Sequence, residues 1–395
     1  MGGLGLQQAT YQNVTPSAPS DRLPSILDFE EQELAQRVEE MGQPRFRARQ
    51  LWRAVYHECA ESFDEMTALS RSFRAELQER FTINPLRPVL SLKSADGEVD
   101  KTLFRLQDGE LIETVLMRYP ADDHRRRRST VCISTQAGCA LGCTFCATGQ
   151  QGFRRQLTSG EIVAQVVHMK RVVRQEAEEA IATRDARRDE ISGLTNVVFM
   201  GMGEPLANYD NTMAAVRTLN HGQGVNIGAR HMTISTVGLA PQIEALAREP
   251  YQINLAVSLH APDDESRSRT MPINRRYPIP VLLEACREYV RLTNRRIFFE
   301  YVLLEGENDT AEHARKLARL LQGLLCHVNL IPVNPTGGGS YRRPSRTRSR
   351  LFRDILKEAG VPNTVRQEKG IDIDAGCGQL RSRALGDPRL SLSQA

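Results

Sequence analysis

From Ser129 onward, short apolar runs of strand length alternate with amphipathic stretches of helical length, and this alternation limits the possible folds more than any other feature of the chain. The strand-like runs are Thr130–Ser134, Asn196–Met200, His231–Ser235, Ile253–Leu259, Arg296–Val302 and His327–Ile331. Helical periodicity fits 159–175, 210–220, 240–248, 280–292, 310–322 and 345–359. Strands separated by a helix pair in parallel, because the crossover carries the chain back to the starting edge. The fold class is therefore α/β, either a partial (β/α)6 TIM-like barrel or an open doubly wound sheet. In both, ligands gather at the C-terminal ends of the strands.

The flanks read differently. Residues 1–22 hold Gly, Gln, Thr, Ser and Pro with little periodicity, as expected of a tail. Residues 23–95 carry helical spacing, as in Phe46, Leu51, Val55 and again Phe73, Leu77, Phe81, and predict a small helical domain. Its segment Arg45–His57 interleaves basic and aromatic residues. That suits RNA, and core packing beneath an exposed basic face explains it comparably well. Residues 96–128 predict a β-hairpin extension, Thr102–Leu106 and Leu111–Met117, around the turn signal Asp108-Gly109. The barrel itself is assigned 129–383, with a second tail over 384–395. Val173–Ser192, dense in Arg, Glu, Asp and Ala, reads as an exposed helical extension.

The chain has 395 residues, 40% of them hydrophobic, enough for a large core. No run approaches the ~18 apolar residues of a membrane span, and the start lacks a secretory pattern, so a cytoplasmic protein is expected. Eight cysteines are too few for a disulfide scaffold of this length, and four of them lie between Cys132 and Cys146. The net charge of +4 is mild, but Arg125–Arg128 and the segment Arg342–Arg353 are locally dense in arginine. Such patches suit a phosphate backbone or, alternatively, form a solvated face.

Cys139-Ala-Leu-Gly-Cys143-Thr-Phe-Cys146 lies just past the first barrel strand. Its C-x3-C-x2-C spacing supplies three thiolates from one loop, which leaves one iron of a 4Fe-4S cube open to a ligand. The alternative is structural zinc, but that wants four closed ligands, and no second Cys or His pair with finger spacing follows. The run Val197–Pro205 ends the second strand with Gly201, Gly203 and Glu204, where glycines let a ligand come close and the acid could take an ammonium. Taken alone, that pattern is also a common strand-to-helix turn. Later strand ends add Ser235, then Ser258-Leu259-His260, then Asn334. Cys377 sits between two glycines near the C-terminus; Cys59, Cys286 and Cys326 read as core residues.

With these motifs in place, the sequence resembles the RlmN/Cfr family of radical S-adenosylmethionine (SAM) RNA methyltransferases from about residue 25 to 383. The resemblance rests on Cys132-Ile-Ser-Thr-Gln-Ala-Gly-Cys139, the cysteine triad, Phe199-Met-Gly-Met-Gly-Glu-Pro-Leu206, Ser258-Leu-His-Ala-Pro262, Asn329-Leu-Ile-Pro332 and Asp372–Leu380. It implies a radical SAM barrel in which Cys139, Cys143 and Cys146 hold the cluster. SAM is then bound by Gly203, Glu204, Ser235, Ser258, Leu259, His260 and Asn334. It also implies that Cys377 accepts a methyl group and that a 5′-deoxyadenosyl radical takes a hydrogen from it. The resulting carbon radical adds to adenine, and Cys132 releases the adduct as a Cys132–Cys377 disulfide. Glu113 matches the family's proton acceptor; by strand pattern alone it is an acid with even chances of exposure. The family has Ala where this chain has Gly376, and the connection from Glu113 to Cys132 is longer than usual.

Pro205 and Cys139-Ala-Leu-Gly-Cys143 resemble the carbon-2 branch, RlmN, more than the carbon-8 branch, Cfr. The implied partners are 23S rRNA, methylated in the peptidyl-transferase loop, and tRNA, methylated beside the anticodon. An electron donor is also implied, flavodoxin with its reductase or a ferredoxin, and the chain is expected to be monomeric. Polar methyl transfer is badly matched to an electron-poor ring carbon, whereas a carbon radical is not so restricted. Two rivals remain at this level: a non-catalytic iron-sulfur or zinc RNA-binding module, and a radical SAM enzyme acting on peptides.

Overall fold

A computed structural model describes residues 23–121, 127–183, 193–334, 341–366, 369–370 and 373. Three helices open the chain: α1 (Glu31–Glu40), α2 (Phe46–Tyr56) and α3 (Arg71–Arg80). Each has one apolar side. In α2, Leu51, Trp52, Val55 and Tyr56 are buried while Phe46 is half exposed beneath Arg47. The basic-aromatic segment is thus a core helix with a basic outer face.

Three antiparallel strands follow, β1 (Leu86–Lys93), β2 (Val99–Leu106) and β3 (Leu111–Tyr119). The expected hairpin is present, with Gly109 at φ +86° in its turn, but β1 was not expected. Pro88 and an outward row of polar residues hide it, and at an edge strand neither is a penalty. The extension accordingly starts at Leu86 rather than near residue 96.

The remaining elements are β4 (Arg128–Cys132), β5 (Gln136–Gly138), α4 (Ala147–Gln150), β6 (Phe153–Gln156), α5 (Ser159–Ala182), β7 (Asn196–Phe199), α6 (Tyr209–Asn220), β8 (Met232–Thr236), α7 (Ala240–Leu246), β9 (Asn254–Ser258), α8 (Asp264–Thr270), α9 (Ile279–Thr293), β10 (Ile297–Leu303), α10 (Ala311–Leu321), β11 (Cys326–Pro332), α11 (Arg346–Glu358) and β12 (Asn363–Val365). The main sheet runs β1-β2-β3-β4-β7-β8-β9-β10-β11-β12. Within that sheet every pairing from β4 to β12 is parallel and the order never reverses, while β5 and β6 pair antiparallel in a separate two-stranded sheet. A doubly wound sheet requires a reversal, so the architecture is the partial barrel with one added strand, β12. The extension β1–β3 continues the same sheet through the antiparallel β3–β4 pairing.

Helix α5 runs past the expected stop at 175 to Ala182, so part of the charged stretch from Val173 is its continuation. It starts at a capping box in which Thr158 and Glu161 satisfy each other's backbone N–H groups. One apolar cluster includes Trp52 and Phe73 of the helical domain together with Ile162 of α5 and Val257 of β9. Helical domain and barrel therefore share a core.

Candidate active site

The loop from β5 through α4 to β6 carries the three motif cysteines. Its shape depends on backbone contacts: Cys139 N–H donates to the Gly152 carbonyl (2.9 Å), and Thr144 N–H to that of Thr270 (3.0 Å). A side chain on Gly149 would press against the Cys143 backbone at 3.0 Å, so that position has to stay small. The Thr144 hydroxyl meets the Tyr341 hydroxyl at 2.7 Å, which ties the loop to the segment before α11.

Cys139, Cys143 and Cys146 line one cavity of about 390 Å³, together with Gly203, Glu204, Ser235, Ser258, His260 and Asn334. This is within the size range of small-ligand pockets. It lies at the C-terminal ends of the parallel strands, as the architecture predicts. Of the expected ligand-binding positions, Leu259 alone is not on the wall. It is buried behind it, its N–H donating to the Glu300 carbonyl and its own carbonyl accepting from Arg267.

Three thiols on one cavity wall are the donor set that a cluster with one open iron requires. Burial first, then the neighbouring thiolates, push Cys139 up to about 12 and Cys143 higher still. Thiols so placed ionise readily only when a cationic centre compensates their charge. Leu141, Met271 and Ile273 give the loop an apolar seat.

Glu204 is buried, and desolvation raises its carboxyl to about 7. Its two oxygens accept the N–H groups of Leu206 (3.0 Å) and Val237 (2.8 Å), while Gln136 takes its backbone N–H (2.8 Å). Gly203 has φ +98°, and a Cβ there would meet the Gln136 side chain at 2.5 Å, so only glycine suits the turn. His260 sits at φ +56°; its Nδ1 accepts from Val302 N–H (3.0 Å), and Phe145 meets its ring edge-on at 4.9 Å. Burial lowers this imidazole to about 3, so it is neutral.

Cys132, at the end of β4, packs with Val99, Val115 and Met117, and those three line the cavity. Its thiol thus belongs to the layer behind that wall. Glu113 is not exposed, as its strand pattern allowed, but 3% accessible, with Oε2 2.9 Å from Lys101 Nζ. Cys377, Asp372 and residues 122–126, including Arg125 and Arg126, lie outside the described residues. Sequence reasoning missed Lys101, Gln136 and Arg267. Arg267 is wholly buried and donates to the carbonyls of Val237 (2.6 Å), Ser258 (3.1 Å) and Leu259 (3.1 Å) and to Asn274 Oδ1 (2.8 Å).

Comparison with known proteins agrees with this geometry. A radical SAM superfamily model matches residues 133–321, and a model of the ribosomal RNA large subunit methyltransferase N-terminal domain matches residues 25–83. The "Probable dual-specificity RNA methyltransferase RlmN" of Bacillus cytotoxicus is 46% identical over 360 residues, covering 91% of this chain and 94% of that protein. The protein of the same description from Roseiflexus sp. is also 46% identical, covering 91% and 96%. The crystal structure of a radical SAM methyltransferase from Sphaerobacter thermophilus superposes with a TM-score of 0.84 at 50% identity, covering 90% of this chain and 98% of that one. The radical SAM assignment brings with it a 4Fe-4S cluster and SAM, which the three-cysteine cavity suits. Fold, cavity and relatives converge on one assignment: the chain belongs to the RlmN family of radical SAM RNA methyltransferases.

Proposed function

We propose that this chain methylates carbon 2 of an adenine in RNA, acting on the peptidyl-transferase loop of 23S rRNA and on the adenosine beside the anticodon of tRNA. The observation that carries the reading is the single cavity joining Cys139, Cys143 and Cys146 to the strand-end residues Gly203, Glu204, Ser235, Ser258, His260 and Asn334, with Cys132 in the layer behind its wall. Cluster and SAM, when bound, supply the one-electron chemistry that takes a hydrogen atom from an unactivated methyl group. The protein's part is to hold and release. Cys139, Cys143 and Cys146 hold the cluster; Gly203 and Ser235 let SAM approach the strand ends. Met117, Phe199 and Val302 add apolar surface to a wall that also carries Glu300, Arg366 and Lys369.

In this reading Cys377 carries the methyl group on sulfur, Glu113 accepts the ring proton, and the Cys132 thiolate attacks the Cys377 sulfur to free the product as a disulfide. Both target adenosines are unpaired, which lowers the cost of drawing the base into a pocket. The site of action is the cytoplasm, with a flavodoxin or ferredoxin as electron donor; among the described residues no helix is long and apolar enough to cross a membrane.

The two cysteines have opposite failures. Cys377→Ala lacks the methyl carrier and should neither methylate RNA nor attach to it. Cys132→Ala, expressed in cells, should copurify with covalently bound RNA that survives denaturation and disappears on nuclease treatment. Normal turnover of Cys132→Ala, or two inactive and RNA-free variants, would overturn the paired-cysteine reading.

A further inference from the structure

Lys101 and Glu113 lie on adjacent antiparallel strands, where Lys101 is opposite Val115 and Leu103 is opposite Glu113. They are diagonal neighbours on one face of the sheet, close enough for long side chains to meet. Nζ and Oε2 are 2.9 Å apart, with side-chain exposures of 0% and 3%. The same face carries Val99, Val115 and Met117, which line the cavity, so Glu113 is one side-chain row from its wall.

We propose that Lys101 is a positioning residue that holds the Glu113 carboxylate in place as the proton acceptor, a role that rests on Glu113 being that acceptor. Apolar side chains flank the pair along this face: Leu103 and Leu111 beyond, and Val99, Val115 and Met117 toward the cavity. Burying a carboxylate is costly unless it is paired and hydrogen-bonded. Lys101 supplies the compensating charge.

The backbone is held as firmly as the side chain. The Ser134 hydroxyl donates to the Glu113 carbonyl (2.7 Å) and accepts from Met202 N–H (3.0 Å), coupling β3 to the glycine-rich turn after β7. A purely structural ion pair explains the site less well, because well-packed apolar residues stabilise a hairpin as well as or better than two buried charges. Two buried charges beside a ligand cavity point instead to chemistry. The step they serve is a proton transfer only. The C–H bonding electrons remain with the adenine ring, the proton binds the Glu113 carboxylate, and Lys101 remains an ammonium.

The test uses full-length, cluster-loaded Lys101→Met, Lys101→Arg, Glu113→Gln and the double variant Lys101→Met/Glu113→Gln. Three readouts are taken: cluster absorption, S-methylation of Cys377 by intact mass, and the rate of RNA methylation. Lys101→Met should keep the first two and lose about 100-fold in the third, the scale of a missing general base. Glu113→Gln should fall equally, and the double variant no further, since the two residues act as a unit. Lys101→Arg, which restores the charge, should recover to within about tenfold of the unmodified protein.

Unaltered RNA methylation in Lys101→Met alongside an inactive Glu113→Gln would overturn the role of Lys101 and leave Glu113 as acceptor. Unaltered methylation in Glu113→Gln would overturn the acceptor assignment itself and the role of Lys101 with it. A double variant slower than both singles, or parallel loss of all three readouts in Lys101→Met, would also overturn the proposal. If Lys101→Met does not fold, Lys101→Gln is read by the same criteria.

Discussion

Arg267 shows how much of the site is set by a residue with no reason to touch substrate. Its guanidinium gathers the carbonyls that end β8 and β9, the same strand ends that present Ser235 and Ser258 to the cavity. Burial lowers it to about 10, so it is still charged at neutral pH, and its field favours the thiolate of Cys143. Arg267→Met leaves those carbonyls without their donor and should cost at least ~3 kcal/mol in urea unfolding, with Lys recovering only part because it lacks the planar fork. A loss below ~1 kcal/mol would show that water replaces the guanidinium. Spacing alone makes the cysteine triad readable, because a loop of three thiols is a local pattern, whereas the glycine turn at Gly203 stood out only beside that triad. Arg267 and Lys101 are not readable in that way: a single Arg on a helix or Lys on a strand looks like surface charge, and only tertiary packing buries it.

At the scale of elements, the six parallel strands and their helices were legible from periodicity, since a run of buried β-branched and aromatic residues such as β10 has few other uses. The strands missed were β1, β5, β6 and β12, all short or at an edge, and the short helices α4 and α8 were missed with them, because so few residues leave a weak pattern. Helix α5 packs on β2 through His168, whose ring meets Phe104 edge-on at 4.9 Å. Desolvation first, then Arg171, lowers His168 from 6.5 to about 4. The folded state therefore binds this proton less readily than the unfolded chain, so stability is full above pH 6.5 and falls as the pH drops toward 4. By pH 5 the loss from this one group should reach ~2 kcal/mol. His168→Phe should remove that part of the slope, while leaving stability at pH 7.5 within ~1 kcal/mol. Parallel pH curves for the two proteins would show that the imidazole is hydrated in the folded state.

For the whole molecule, the divisions at residues 95 and 128 that composition suggested do not separate cores. Lys170, Arg171 and Arg174 of α5 donate to the carbonyls of Tyr56, Cys59, Ala60 and Glu58 that follow α2, so the helical domain is fastened to the barrel. Near the cavity mouth, Arg128 lies over the Tyr119 ring at 4.2 Å and Lys369 over it at 4.4 Å, and Tyr119 and Lys369 both line the cavity. Two cationic groups therefore stand at the cavity. Replacing Arg125–Arg128 by Gln should weaken RNA binding and flatten its log–log salt dependence by up to ~0.9 for each phosphate no longer neutralised. An unchanged slope would make the segment a solvated surface. The most direct test of the account as a whole is mass spectrometry of adenosine from 23S rRNA treated with the reduced, cluster-loaded enzyme and SAM carrying a trideuterated methyl group. Because a hydrogen is taken from the methyl group before it reaches the base, the predicted product is 2-methyladenosine with two deuteriums. Three deuteriums, methylation at carbon 8, or unmodified adenosine would contradict it.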